Sequence, residues 1–164
     1  MKYIIIGDSN TYGFDPSDYL GRRYAKVWTD YLNIEGCTFE NAGVNGQRVF
    51  DIVNFIPNAY DSVFIMLGTN DILQNFSVST IIKEMKDFLS NVNGKAVIIC
   101  PVIIEMKEFK EKCIALNDLY QKLGVPCIPS IKVDMAYDGI HFSQKGHEQF
   151  GIYINEEIKK LLHK

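Results

Sequence analysis

Apolar residues gather along the chain in short unbroken runs, at positions 3–6, 62–67 and 96–100, with weaker ones at 37–40 and 125–128. Runs of this length, bounded by Gly, Asn, Asp or Pro, predict β-strands. Because they are apolar throughout rather than alternating, both faces of each strand should be covered, as in a parallel sheet clothed by helices. Between the runs the period changes. Over 77–91 the residues Val78, Ile81, Ile82, Met85, Phe88 and Leu89 fall three and four apart, with Ser77 or Ser79 as N-cap, which predicts an amphipathic helix. The same spacing recurs over 105–123, closed by Gly124 and Pro126, and over 143–162 with Phe150, Ile154, Ile158 and Leu161 on one face. Shorter helices are expected over 22–32 and 47–55, with Trp28 and Leu32 directed to the core.

Strand and helix therefore alternate five times in one domain spanning 1–164, without repeat, linker or low-complexity segment. The expected fold class is α/β, a three-layer α/β/α sandwich on a five-stranded parallel sheet. Strand-to-helix loops of such a sheet gather at its carboxyl edge, where open α/β folds build their sites. The Gly-rich polar loops 7–13, 41–47 and 68–75 each follow a strand, so they should meet there.

Composition narrows the class of function. The 164 residues are 47% apolar and 23% charged, ordinary for a globular domain of a size that needs neither disulfides nor a structural metal. A net charge of −3 with no basic run offers no footprint for nucleic acid. No apolar stretch reaches the roughly 18–20 residues of a membrane span, and the opening run is shorter than a secretory signal of about 7–15 apolar residues. Cys37, Cys100, Cys113 and Cys127 form no CxxC pair and no metal-ligand spacing. They are read as free thiols, and the protein as cytoplasmic.

The polar loops contain the candidate chemistry. Gly7-Asp8-Ser9-Asn10-Thr11 follows the first strand; alone it reads as an Asx turn. A nucleophilic Ser9 needs a base within hydrogen-bond reach, an acceptor to orient that base, and donors facing the developing oxyanion. The chain has three histidines. His163 is penultimate and His147 lies inside the last helical pattern, whereas His141 stands in a loop, three residues after Asp138 with Gly139 between. That spacing lets Asp138 accept the Nδ1 proton and fix the tautomer. A turn-forming Asp138-Gly139 beside a solvated His141 is the plain alternative. In 41–46, Asn41-Ala42-Gly43-Val44-Asn45-Gly46, a glycine lets a backbone N–H approach a substrate oxygen. In 68–71 the Asn70 amide supplies a second donor.

Taken in order, Ser9 in GDSN, Gly43 in NAGVNG, Asn70 in GTND and His141 in DGIHFS resemble the four blocks of the SGNH (GDSL-like) hydrolase superfamily, and together they span residues 7–143. The stretch Gly7 to Pro16, with Arg23 and Trp28 following, is similar to the arylesterase-like members, Tyr12 standing where they carry Trp. The resemblance implies a flavodoxin-like sandwich, a Ser9–His141–Asp138 triad, and an oxyanion hole made of the Ser9 and Gly43 N–H groups and the Asn70 side chain. Acyl transfer through such a triad requires no metal and no organic cofactor. The expected partner is a small-molecule ester.

With few residues left over for a lid, the site should be shallow and suited to short acyl groups, as in a small aryl ester or a carbohydrate O-acetyl ester. Asn10, Tyr12, Phe14, Asn45, Ile72, Leu73, Ile140 and Phe142 are the candidate substrate contacts. Competing readings are a catalytically silent relative that only binds, a thioesterase or lysophospholipase with a longer acyl chain, and a flavodoxin-like signalling module. The last lacks an acidic phosphoacceptor cluster, since Asp8 and Asp61 alone do not make one.

Overall fold

A computed structural model describes residues 1–55, 57–92 and 95–163. In chain order its elements are β1 (Lys2–Gly7), α1 (Ser9–Tyr12), β2 (Thr38–Gly43), β3 (Ser62–Met66), α2 (Thr69–Leu73), α3 (Val78–Asn91), β4 (Ala96–Ile99), α4 (Lys107–Tyr120), β5 (Cys127–Ile128) and α5 (Gln144–Leu162). The five strands form one parallel sheet in the order β2-β1-β3-β4-β5.

The apolar strand runs have the cause anticipated for them. Along β1, Ile4 and Ile6 enter one core with Val63, Ile65 and Ile98, against Ile81, Met85 and Phe88 of α3 and Cys113, Leu116 and Tyr120 of α4. Tyr3 and Ile5 enter the other with Phe64, Met66 and Ile99, against Trp28 and the Phe150, Ile154 and Ile158 face of α5. Successive side chains of one strand thus serve opposite layers, so every position must be apolar. Trp28 is fully buried and meets Phe150 edge-on at 5.3 Å between ring centroids. All four cysteines are free, although the sulfurs of Cys100 and Cys127 lie 3.4 Å apart. Among the described residues no helix is long and apolar enough to cross a membrane.

Both short helices expected from the sequence are smaller than anticipated. Within 22–32 only Trp28–Tyr31 is helical, and within 47–55 only Val49–Ile52, each a single 3₁₀ turn. Each buries just two residues, Trp28 with Thr29 and Val49 with Ile52, and one turn suffices to place them. Conversely, loops 7–13 and 68–75 each contain one turn of α-helix, α1 and α2.

The strand order reverses direction between β1 and β3, and a crevice opens at such a point outside the carboxyl ends of the strands. Ser9 follows β1 and Asn70 follows β3, so both stand at that crevice.

Candidate active site

Ser9 is the first residue of α1, separated from the end of β1 by Asp8 alone. The turn is built by Asp8, whose carboxylate caps it by accepting the Asn10 N–H at 2.9 Å, and it is closed by Gly13 in the left-handed conformation at φ 93°. Two glycines let this turn sit close to the sheet. A Cβ on Gly7 would lie 2.0 Å from Thr11 Oγ1, and one on Gly43 only 2.2 Å from the backbone nitrogen of Tyr12. Asn41 fixes the far end of the turn, its Nδ2 donating to Thr11 O at 2.7 Å and to Thr29 Oγ1 at 2.9 Å. Ser9 remains half-buried, and its N–H has no acceptor among the described residues.

His141 arrives from the loop after β5. Its Nε2 is 3.0 Å from Ser9 Oγ, and its Nδ1 is 2.5 Å from Asp138 Oδ2. The other Asp138 oxygen accepts the N–H groups of Ile140 at 2.9 Å and His141 at 3.0 Å. Burial works to raise the Asp138 carboxyl, but these N–H groups and the imidazole outweigh it and hold the group below the usual carboxylate range. The acid is therefore ionised near neutrality and oriented on three sides. Phe14 packs its ring 4.9 Å from the imidazole.

Asn70, in the first turn of α2, donates through Nδ2 to Gln47 O at 3.0 Å, which leaves its second amide proton free of that bond. The same contact brings the loop after β2 to the crevice. Asp71, buried beside it, accepts the Val49 N–H at 3.3 Å; burial pushes its carboxyl up to about 6 against that hydrogen bond. Asp8 is likewise raised to about 6 by burial, offset in part by the Asn10 N–H.

The geometry corrects several site expectations. Gly43 is the last residue of β2, and its N–H donates to Asn41 Oδ1 at 2.9 Å, so it is not a free donor; its part is to let α1 approach. Among the described residues, the glycine of this loop whose N–H meets no acceptor is Gly46, exposed at φ 78° and one residue from the carbonyl that Asn70 holds. The Asn45-Gly46 pair, a turn dipeptide, was the available signal. Ile72 and Phe142 are not walls of a binding site, since both are fully buried in the two cores. Asn10 is buried too, with both amide atoms engaged. Tyr12, Phe14, Leu73 and Ile140 are half-buried and Asn45 is exposed, which leaves them available for contact. Asn41 was not anticipated; nothing in the pattern of residues foretells that its amide spans three elements.

A model of the GDSL-like lipase/acylhydrolase family matches residues 5–149. The chain belongs to that family. Membership makes it an ester hydrolase of the GDSL type, and the matched segment runs from within β1 into α5, enclosing Ser9, Asn70, Asp138 and His141. Solved structures share the GDSL fold over nearly the whole length. Est24, a carbohydrate acetylesterase from Sinorhizobium meliloti, is 20% identical, with 98% of this chain and 99% of that one covered at a TM-score of 0.78. A member of the G-D-S-L lipolytic family from Veillonella parvula is 19% identical, covering 100% and 99% at 0.76. The psychrotrophic esterase EstA from a Pseudoalteromonas species is 16% identical, covering 99% of each at 0.75. No curated protein sequence gives a significant match.

Proposed function

We propose that the chain is a serine esterase that hydrolyses short-acyl carboxylic esters, small aryl or carbohydrate O-acetyl esters being the substrate class, through an acyl-enzyme on Ser9. The observation that supports this most directly is the unbroken relay from Asp138 Oδ2 through the His141 ring to Ser9 Oγ, with steps of 2.5 and 3.0 Å. Ser9 Oγ attacks the ester carbonyl while His141 Nε2 takes its proton. The tetrahedral intermediate collapses as His141 returns that proton to the departing alcohol, and a water, deprotonated by the same nitrogen, then releases the acid. The negative charge on the carbonyl oxygen is met by the Ser9 N–H, the Gly46 N–H and the Asn70 amide.

The short-acyl preference rests on what remains around Ser9. With Ile72 and Phe142 taken into the cores, the flanking apolar surface reduces to Tyr12, Phe14, Leu73 and Ile140, enough to shield a small acyl group. The carbohydrate option also draws on the likeness to Est24. Two measurements test the proposal. A fluorophosphonate probe should label wild type but not Ser9→Ala, and p-nitrophenyl esters from acetate to palmitate should be turned over in falling order. Absence of Ser9 labelling would leave the silent-binder reading, and a preference for palmitate would favour the long-chain one.

A further inference from the structure

The geometry points to Asn10, the residue after the nucleophile, as the positioning residue that sets the distance between Ser9 and His141. It rests on the esterase reading above. Asn10 is 4% exposed, and its amide is divided between the two neighbours of the base: Nδ2 donates to the carbonyl of Ile140 at 3.0 Å, and Oδ1 accepts the N–H of Phe142 at 2.9 Å. The side chain therefore bridges the backbone on both sides of His141. The remaining polar groups there are held from the Asp138 side, which takes the N–H of Ile140 and of His141, and by the Ala136 N–H, which donates to His141 O at 2.8 Å.

The Asp138 contacts are local, spanning two and three residues, and can orient the imidazole within its own loop. They cannot say where that loop stands relative to Ser9, because they do not reach it. Asn10 does. Its two bonds each close 130 or 132 residues of chain, and its own N–H is fixed to Asp8 within the turn that presents Ser9. One planar amide of fixed dimensions thus links nucleophile and base, adjacent in sequence to the first and straddling the second. The other ties to the Ser9 side, Tyr137 Oη donating to Pro16 O at 3.0 Å and the Phe14 ring on the imidazole, reach residues five or more beyond Ser9. Phe142, on the other side of the loop, is locked into the α5 core and gives the amide a rigid partner.

The family takes its name from a G-D-S-L block, and Leu at the fourth position has no group with which to make either bond. Here Asn occupies it, and both its donor and its acceptor are used. Removing the amide leaves the Ile140 carbonyl and the Phe142 N–H without partners, and the His141 loop is free to shift relative to Ser9. A displacement near 1 Å at a reacting pair costs about 10² in rate.

The test compares wild type, Asn10→Leu and Asn10→Asp with p-nitrophenyl acetate at pH 8, alongside Ser9→Ala, with thermal melts to establish the folded fraction. Asn10→Leu keeps the approximate shape and loses both bonds; its kcat should fall about 10²-fold with KM within about twofold, and fluorophosphonate labelling of Ser9 should slow in parallel. Asn10→Asp keeps an acceptor for the Phe142 N–H and a near-native shape, so it should fold and lie between the two. The inference is overturned if kcat of the folded variants stays within about threefold of wild type, if KM rises while kcat holds, which makes Asn10 a substrate contact, or if activity merely tracks the folded fraction. A Ser9→Ala variant that retains full activity overturns the esterase reading instead, whatever the Asn10 variants do.

Discussion

In the proposed mechanism the Asn70 and Asp138 side chains each serve the reacting Ser9–His141 pair, and each can be removed singly. Asn70→Ala takes away one oxyanion donor and leaves the fold standing; kcat should drop by about 10²–10³ with little change in KM, as measured on p-nitrophenyl acetate. Asp138→Asn preserves shape but cannot fix the His141 tautomer, and a loss on the order of 10⁴ in kcat is expected from the behaviour of triads generally. The two glycines of the β2 loop separate packing from catalysis. Gly43→Ala forces a Cβ onto Tyr12 N and should lower the unfolding free energy by about 1–3 kcal/mol, whereas a Cβ on Gly46 meets nothing within 4 Å and strains only the backbone, by about 1 kcal/mol. Urea melts of both variants check this. At this scale the Ser9, Asp138 and His141 grouping was legible only through the ordered set of four blocks, since His141 three residues after Asp138 reads equally as a solvated turn residue; the structure brings the three side chains within hydrogen-bond reach. Which glycine of NAGVNG keeps a free N–H was not legible, since that depends on where β2 ends and on the reach of Asn41. Nor was the inward turn of Ile72 and Phe142, whose apolarity suits a core and a binding wall equally.

Elements were legible where their apolar stripe is long. Helices α3, α4 and α5 each lie within their expected spans, and Ser77 and Ser143 are the N-caps of α3 and α5, accepting the N–H groups of Thr80 and Gly146. Ser143→Ala should cost about 1 kcal/mol in a chemical melt. The 3₁₀ turns were overextended because a cluster of two buried side chains carries no period. Within α5, His147 is fully buried, and its Nδ1 accepts the Trp28 N–H at 3.3 Å. Burial, aided by the charge of Arg23, lowers its pKa to about 4. Its neutral form is favoured in the folded state, so its contribution to stability is present above the ordinary value of 6.5 and is lost as pH falls toward 4. Asp8 and Asp71, raised to about 6, act in the opposite sense, gaining stability as pH falls from 6 toward 3.8. Comparing wild type with His147→Gln isolates the histidine, because both carboxyls are common to the two. The Tm difference between them should shift in favour of the variant as pH is lowered from 7 to 4.

On the scale of the whole molecule, the sheet has a core on each face, and the crevice residues are distributed over β1, β2, β3 and the loop after β5. No part of the site belongs to a separable piece of the structure. Urea should therefore abolish esterase activity and far-ultraviolet dichroism in a single superimposable transition; activity vanishing well before the dichroism would show that the His141 loop detaches on its own. The parallel order was foreseeable from the apolar runs, while the register that places Gly7 beside Gly43 and Met66 was not.

Ser9 and His141 meet across 132 residues of chain. During synthesis the nucleophile leaves the ribosome early and the base late, and α5, which carries the packing partner of Trp28, later still. At roughly 5–20 residues per second, the 132 residues between them keep the serine of the nascent chain unactivated for on the order of ten seconds or more. On the proposed mechanism hydrolytic activity should begin only once the last helix docks, so ester turnover would report completed folding in a translation reaction.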